Sequence, residues 1–317
     1  MFHLLDHNCK SIKVCLLIFG QDRKSEELRR LLLGLLKKLK FLPPPFYAKI
    51  HYEYYLGKKL DLENPREFNE KIQWLKVFNK DPRLTRLVDK YAVREYVAET
   101  VGEQYLNELL GVYDRVSDVD FDALPDRFVI KGVHGCHFNL IVPDKTKLNR
   151  VKARLLMKKW MSKNQYYRGG LEWAYKNVRP RLIAEAYLEE MGQESVTDYK
   201  FFCFGGTPKF VQVDLDRASG HKRCFYDMDW QKLPFSVKIR SVYEGEVAPL
   251  KNFDEMKAVA TRLAADFPFV RVDLYNIDGR ILFGEMTFYP ADSRQDFIPD
   301  AYNRIIGNYL TLPEPVG

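Results

Sequence analysis

An α+β fold built on antiparallel sheets follows from three observations. Strand patterns lie next to one another in sequence, helical patterns fall between groups of them, and no regular βαβ alternation runs along the chain. The 317 residues, 46% hydrophobic and 14% aromatic, suffice for a sizeable core in one domain or two joined ones. Residues 1–20 carry no clear pattern and read as a loosely attached leader. From Ser25 to Lys40, Leu28, Leu31, Leu32, Leu35 and Leu39 follow helical spacing, with Arg29, Arg30, Lys37, Lys38 and Lys40 mostly away from them, and Pro43-Pro44-Pro45 ends the pattern. Such a basic amphipathic helix has two fates. Packing on the protein's own body is the commoner, and lying on an anionic inner leaflet is the other.

Between Pro65 and Gly102 the pattern is helical again, through Phe68, Ile72, Leu75 and Phe78, then Tyr91, Val93, Tyr96 and Val97. Phe128 to Lys131 and Leu140 to Val142 read as strands joined by the glycine-bearing loop from Gly132 to Asn139, a hairpin fit to cross over a ligand. Residues 151–178 set Trp160, Tyr166, Tyr167, Trp173 and Tyr175 among lysines and arginines on helices. Further strands are expected over 182–188, 199–204 and 209–213, the last two joined by the turn Gly205-Gly206-Thr207-Pro208. Asn252 to Asp266 is helical by the spacing of Phe253, Met256, Ala260 and Leu263.

The densest chemistry lies in a hairpin after that helix. Val270, Val272 and Leu274 alternate with Arg271 and Asp273, a turn follows at Asn276 to Gly279, and residues 281–288 form the return strand. Arg271, Asp273, Glu285 and Thr287 can then share one face, which suits Mg²⁺ held against a triphosphate, because that hard cation takes one or two carboxylates plus phosphate oxygens. Asp273 and Glu285 face one way only if the connecting loop has an odd number of residues, and three residues with Gly279 left-handed would do it. An exposed acidic hairpin with an incidental arginine is the alternative. Lys131, at a strand end before glycine, either aims its ammonium at a phosphate under the loop or simply faces solvent. His134 and His137 in that loop read as polar loop residues more readily than as catalysts.

The formal charge of +7, interleaved with 43 acidic residues, suits an anionic small substrate or a membrane surface as well as it suits nucleic acid. Five cysteines (9, 15, 136, 203, 224) without a Cys-x-x-Cys pair point to free thiols in a reducing cytoplasm, and zinc is not expected. The apolar run Val14 to Phe19 is too short to span a bilayer and no small-residue cleavage site follows it, so a soluble, unexported protein is expected.

Taken in order, Asp89-Lys90-Tyr-Ala-Val-Arg94, Lys131 with its loop, Ala184-Glu185-Ala-Tyr187-Leu188, Asp198-Tyr-Lys200, Arg271-x-Asp273 and Glu285-x-Thr287 resemble an ATP-grasp enzyme. More closely, Asn64-Pro-x-x-Phe-Asn-Glu70-Lys-Ile-Gln-Trp74, Leu124-Pro-x-x-Phe-Val-Ile-Lys131 and Phe283-Gly-Glu-Met-Thr-Phe-Tyr-Pro290 resemble the TupA-like ATP-grasp family of bacterial surface-polysaccharide and teichuronopeptide synthesis, over roughly residues 45–312. The resemblance implies two antiparallel-sheet lobes clasping ATP, with a helical N-terminal extension. It divides the chain into a leader and basic helix (1–45), an N-terminal helical and α+β lobe (46–125), a small lobe with the glycine loop (126–190) and a C-terminal lobe with the metal site (191–317).

Residue by residue, the resemblance implies that Lys90 and Lys131 grip ATP phosphates under a mobile loop, Gly132 to Asn139, that includes His134 and Gly135. Glu185, Tyr187 and Leu188 would meet adenine, Asp198 or Glu190 the ribose hydroxyls, and Lys200 a further phosphate. Asp273, Glu285 and Thr287 would hold Mg²⁺, Thr287 standing where most ATP-grasp enzymes have asparagine, and Arg271 would stabilise an oxyanion. The loop lacks the Ser-Gly step expected after Gly135, and Ala291-Asp292-Ser293-Arg294 replaces a small Ser-Gly turn, which puts Asp292 or Arg294 in the acceptor pocket. The activity implied is a carboxylate–amine ligase that couples a uronic acid of a nucleotide- or lipid-linked glycan to an amino acid or other amine. It would work in the cytoplasm without a nucleic-acid partner, with residues 25–40 as the contact to the inner membrane face. Tyr166, Tyr167, Arg168, Trp173 and Arg179 would stack on and pair with an acidic sugar, or else pack helices. Three rivals stay open: a glycosyltransferase using Asp214-Leu-Asp216 or Asp227-Met-Asp229, a sugar kinase on the same scaffold, and a binding protein without catalysis.

Overall fold

The computed structural model describes residues 23–189, 196–215, 220–238 and 240–314. The leader and Glu190 lie outside the described residues. The chain forms two compact units, 1–61 and 62–317.

In the first unit, α1 (Arg23–Leu36) pairs with α2 (Pro44–Leu56). Pro44 and Pro45 do not merely stop α1; they open α2 at its first positions, where a missing N–H costs nothing. That helix was not legible, because proline was read only as a terminator. Gly57 closes it with φ +68°. The two helices are joined by Arg29 Nη2 to Glu53 Oε1 at 2.5 Å and by Lys37 Nζ, which donates to Tyr55 Oη at 3.1 Å and lies over the Tyr54 ring. Leu33 and Leu36 are buried, whereas Leu28, Leu31 and Leu35 of the predicted stripe are exposed. The leucines cover more of the helix surface than one packed face uses.

The second unit opens with α3 (Phe68–Phe78), α4 (Arg83–Val88) and α5 (Val93–Thr100). A small antiparallel sheet of β1 (Leu109–Tyr113), β2 (Phe128–Gly132), β3 (Asn139–Val142) and β4 (Leu182–Ala186) has the order β1-β4-β2-β3. Strand β1 belongs to this sheet although sequence put it in the preceding segment; Gly111 and its irregular register with β4 hid its pattern. Phe128, Ile130, Leu182 and Ala184 pack with Ala153, Met157 and Trp160 of α6 (Arg150–Met161) in one apolar core. A short α7 (Gln165–Arg168) follows.

The large sheet contains β5 (Asp198–Phe204), β6 (Thr207–Leu215), β7 (Lys222–Asp227), β9 (Ser241–Val242), β10 (Phe269–Ile277) and β11 (Arg280–Thr287), in the order β11-β10-β5-β6-β7-β9. β8 (Ser236–Val237) pairs with β12 (Phe297–Ile298) apart from it. One sheet face packs on α8 (Phe253–Ala264), where Phe201 and Phe253 stack at 5.8 Å. On the opposite face of β5, Phe202 and Phe204 join Phe210 and Phe269, while Asp198 and Lys200 lie further along the same strand. One face is therefore half aromatic core and half polar site.

Phe68 explains the Asn64-to-Trp74 motif. Its fully buried ring lies 5.3 Å from Phe269, 6.0 Å from Phe297 and 6.1 Å from Phe204. Glu67 and Glu70 form a reciprocal capping box, and Asn69 exchanges hydrogen bonds with the backbone of Gln295 at 2.6 and 2.9 Å. Gly307 in α9 (Ala301–Gly307) lets that helix press on the same turn, since a Cβ there would stand 2.3 Å from the Arg66 carbonyl oxygen. The motif is a clamp holding α3 to the C-terminal segment.

The hairpin β10–β11 departs from the expected three-residue loop. Its turn has two residues, Asp278 and Gly279, with φ +51° and +90°. With Ile277 opposite Arg280 and Leu274 opposite Phe283, a regular ladder would set Asp273 opposite Gly284 and turn Glu285 to the other face. A bulge between Asp273 and Leu274 absorbs one residue, so that Asp273 stands opposite Glu285. Gly284 permits it: a Cβ there would lie 3.0 Å from the Asp273 carbonyl oxygen. The odd count the chemistry needs comes from the bulge, not the turn.

Candidate active site

Strand register assembles the large-sheet half of the site. Glu285, Asp273, Lys200 and Gln212 are successive cross-strand partners on β11, β10, β5 and β6, and Asp198, Asp214 and Arg223 form the next row. Asp273 is buried and holds two cations: Arg271 Nε and Nη2 at 2.7 Å each, and Lys200 Nζ at 2.8 Å. Arg271 Nη2 also donates to Thr287 Oγ1 at 3.1 Å and approaches Glu285 Oε1 at 3.4 Å. Lys200 lies 3.2 Å from Asp198. Burial disfavours its charge, but Asp273 and Asp198 outweigh that and raise its pKa above the ordinary lysine value.

Lys90 links this face to the glycine loop. Its Nζ is 3.3 Å from Glu285 Oε2 and 3.3 Å from the Gly135 carbonyl oxygen. Asp89 fixes it in place by accepting from the backbone N–H groups of Tyr91 and Ala92 and pairing with Arg181 Nη2 at 2.9 Å. The loop is tied down by Arg168 Nη1 on the Cys136 carbonyl oxygen at 2.8 Å, and Gly132 and Gly135 leave room for Phe138, whose ring a Cβ at either glycine would crowd. Burial of Glu285 opposes its ionisation, yet Lys90, Arg271 and Lys200 prevail and hold its carboxyl at about 2.

A second polar cluster, absent from the sequence reading except for Asp292 and Arg294, lies beside the first. Lys76 Nζ contacts Asp292 Oδ1 at 3.0 Å, and Arg294 contacts Asp292 Oδ2 at 3.6 Å. Buried Glu172 accepts from Gln165 at 3.1 Å. Gly170 presses on Asp292, where a Cβ would stand 2.4 Å from Oδ1. Three successive non-glycine residues, Ala291, Asp292 and Ser293, have φ of +51°, +53° and +57°, a strained run. Asn69, Gln73 and Lys76 share one face of α3; Asn69 binds Gln295 and Lys76 binds Asp292, so Gln73 faces the segment between. The Gln73 amide and the Ser293 hydroxyl, both fully buried, find no hydrogen-bond partner among the described residues.

Burial, reinforced by the charge of Asp292, pushes the Glu172 carboxyl up to about 8. A carboxyl raised on folding gives stability that is complete below its unfolded value of 4.5 and is lost as pH climbs through about 8. Glu172→Gln is therefore expected to flatten the fall in melting temperature between about pH 5 and 8, by about 3 °C or more. Equal slopes in a thermal melt series would show that Glu172 is already ionised in the folded protein.

The other sequence candidates fall in several places. Lys131 pairs with Glu185 Oε2 at 2.6 Å, because Val129 is the cross-strand partner of Glu185 and sets Lys131 diagonal to it. Glu185 is shared with Arg94 at 3.2 Å. Tyr187 lies under Arg127, and Leu188 follows it, half-buried, beyond the end of β4. His134 is turned inward, with Nε2 2.9 Å from the Trp160 carbonyl oxygen and a pKa lowered by burial. Asp198 stands in the polar row beside Lys200. Sequence reasoning missed Gln212, Arg223, Lys76 and Glu172; Gln212 and Asp214 two apart on one strand were the available signal. Arg223 Nε and Nη2 grip Asp214 at 2.6 and 3.0 Å, and Asp227 Oδ1 accepts from the backbone of Asp229 and Gln231. Asp216 lies outside the described residues.

The donor set fits Mg²⁺. Glu285 is 37% exposed, while Asp273 is held by cations that phosphate can compete for. Among the described residues no group of three or more His, Cys, Asp and Glu side chains forms a self-sufficient metal cage, and none is needed for an ion that keeps phosphate ligands.

No curated protein matches the chain. Among solved structures, D-alanine–D-alanine ligase from Bacillus anthracis is 13% identical, with 65% of this chain and 58% of that one covered and a TM-score of 0.39. ATP-grasp ligase PsnB complexed with minimal precursor is 12% identical, with 76% and 67% covered and a TM-score of 0.40. D-cycloserine synthetase DcsG is 16% identical, with 64% and 62% covered and a TM-score of 0.35. The chain thus spans less than two thirds of the first and third of these. A family model described as TupA-like ATPgrasp matches residues 70–311, well over half of the sequence. By that match, and with antiparallel sheets bearing a glycine loop on one and a cation–carboxylate face on the other, the chain belongs to the TupA-like ATP-grasp family.

Proposed function

We propose that the chain is an ATP-dependent carboxylate–amine ligase that couples a uronic-acid carboxylate of a nucleotide- or lipid-linked surface-glycan precursor to an amino acid or other amine. One observation carries the reading: the Lys90 ammonium stands 3.3 Å from both Gly135 O and Glu285 Oε2, so a phosphate-covering loop, a cation and a metal-binding carboxylate meet at one point. Lys90, Lys131 and Lys200 neutralise the phosphates, Lys131 by exchanging Glu185 for a phosphate oxygen. Glu285 and Asp273, with Thr287, would hold Mg²⁺, which would supply charge neutralisation to the phosphates.

The substrate carboxylate attacks the γ-phosphorus, the bond to ADP breaks, and an acylphosphate results. The deprotonated amine attacks the carbonyl carbon; the C–N bond forms, phosphate leaves and the nitrogen loses its remaining extra proton. Arg271, fixed by Asp273 and Thr287, is placed to stabilise the intervening oxyanion. No nucleophilic side chain is required, because positioning and charge do the work. The acceptor side is the strained Asp292 cluster: Lys76 and Arg294 suit a sugar carboxylate, and Asp292 suits an ammonium. Tyr167, exposed and edge-on to Tyr166 at 4.9 Å, gives a sugar ring a surface to stack on.

Incubation with ATP, Mg²⁺, a panel of uronic-acid acceptors and a mixture of amines tests this by mass spectrometry. The expected product is acceptor plus amine less one water, with one ADP and one phosphate per amide. UDP released from a sugar nucleotide without ATP would mark a glycosyltransferase, and an acceptor heavier by a phosphoryl group without amine would mark a kinase.

A further inference from the structure

Charge is not shared evenly between the two units. Residues 23–61 hold ten Lys and Arg against four Asp and Glu, a net of +6 out of the chain's +7, whereas residues 62–317 are nearly balanced at 38 against 37. Within this unit α1 has two apolar faces. Leu33 and Leu36 are buried, but Leu28, Leu31 and Leu35, at i, i+3 and i+7, are 54%, 67% and 63% exposed. Phe41, just beyond the helix, is 76% exposed. Arg30 and Lys38 are exposed along the same stretch, as are Glu26 and Glu27 nearer the start of the helix. No helix among the described residues is long and apolar enough to cross a membrane.

We infer that the Leu28–Leu31–Leu35 face of α1, with Phe41, docks on an anionic lipid surface, the leucines and phenylalanine entering the headgroup boundary and the surrounding lysines and arginines meeting lipid phosphates. Two turns of exposed leucine give a shallow foothold, of the kind that needs electrostatic attraction to become stable binding. The net charge of +6 supplies that attraction, and it is concentrated in the one described part of the chain that also exposes a leucine row. A protein partner would need acidic side chains set around an apolar groove; an anionic bilayer presents both properties without a specific shape. Lipid is therefore the occupant the charge favours. The inference does not depend on the enzymatic reading, and it gives a lipid-linked precursor a surface on which to be met.

The test is flotation of the full chain with vesicles of pure phosphatidylcholine or of phosphatidylcholine with about 30% phosphatidylglycerol, at about 0.1 M and 1 M salt. Binding to the anionic vesicles is expected to exceed binding to the neutral ones by about tenfold or more and to fall at high salt. The double variant Leu31→Glu/Leu35→Glu should lose about tenfold on anionic vesicles while its circular dichroism stays unchanged, since both side chains face solvent. Arg30→Glu/Lys38→Glu should reduce binding in parallel. Absence of binding, equal binding to both vesicle types, or binding indifferent to the leucine changes overturns the proposal. So does a dimer that the leucine changes dissolve, because a second copy would then be what covers the face.

Discussion

Exchanging Glu285 for glutamine is expected to lower ATP turnover about 10²–10³-fold while lowering the melting temperature by only about 2–4 °C. The side chain is 37% exposed, so its ion pair with Lys90 is partly screened and contributes little to folding. Its value to chemistry is larger under the proposed function, in which this partly exposed carboxylate is the metal ligand. The charge is secure at neutral pH: burial works against it, but Lys90, Arg271 and Lys200 keep the group at about 2. A carboxyl lowered on folding gives stability that is present above its unfolded value of 4.5 and lost as pH falls through about 2, so the small thermal cost of the variant should shrink below about pH 4 and vanish below about pH 2. Steady-state kinetics beside a melting curve separates the effects. Ordinary turnover would remove Glu285 from the site.

Asp273→Asn should behave differently, failing in both stability and turnover. Asp273 is buried, and both oxygens are occupied by Arg271 and Lys200. An uncharged amide removes the anion that Arg271 and buried Lys200 share, leaving Arg271 to Glu285 and Lys200 to Asp198, a loss of about 3 kcal/mol by analogy with broken buried pairs. The change keeps the volume of the side chain, so the loss is electrostatic rather than a cavity effect. Measured below the lowered melting temperature, turnover should fall further than nucleotide affinity, since the Lys90 and Lys131 contacts to phosphate survive. An unchanged denaturation midpoint would mean that the Arg271–Asp273–Lys200 group is not held as described.

The contrast between these two carboxylates shows what sequence could and could not supply. Alternation in Val270, Arg271, Val272, Asp273 and Leu274 placed arginine and aspartate on one face, and the helical spacing of Phe253, Met256 and Leu263 placed the helix that covers the other. Those are local periodicities. The alignment of Asp273 with Glu285 depends on a bulge that Gly284 permits, and one glycine in a strand does not declare which residue will be absorbed. Pairing beyond the nearest strand was also hidden. Lys200 sits opposite Asp273, and Asp214 opposite Asp198, only because β10, β5 and β6 adjoin, a tertiary fact. Lys131 was found as a chemically active lysine, but its partner Glu185 comes from a strand 54 residues away. The Lys76–Asp292 contact, across 216 residues, had no sequence signal at all beyond an unusual Ala-Asp-Ser-Arg run. In α1 the leucine row was legible as an apolar stripe, yet the neighbouring Leu33 and Leu36 were chosen for packing, because α2 lies on that side.

A crystal structure with Mg²⁺ and a non-hydrolysable ATP analogue tests the central claim most directly. The account predicts phosphates lying among Lys90, Lys131 and the Gly132–Asn139 loop, with Mg²⁺ on Glu285 and Asp273 and the Lys131–Glu185 pair opened. Nucleotide bound elsewhere, with Lys90 still on Glu285 and no metal between the carboxylates and the phosphates, would contradict it.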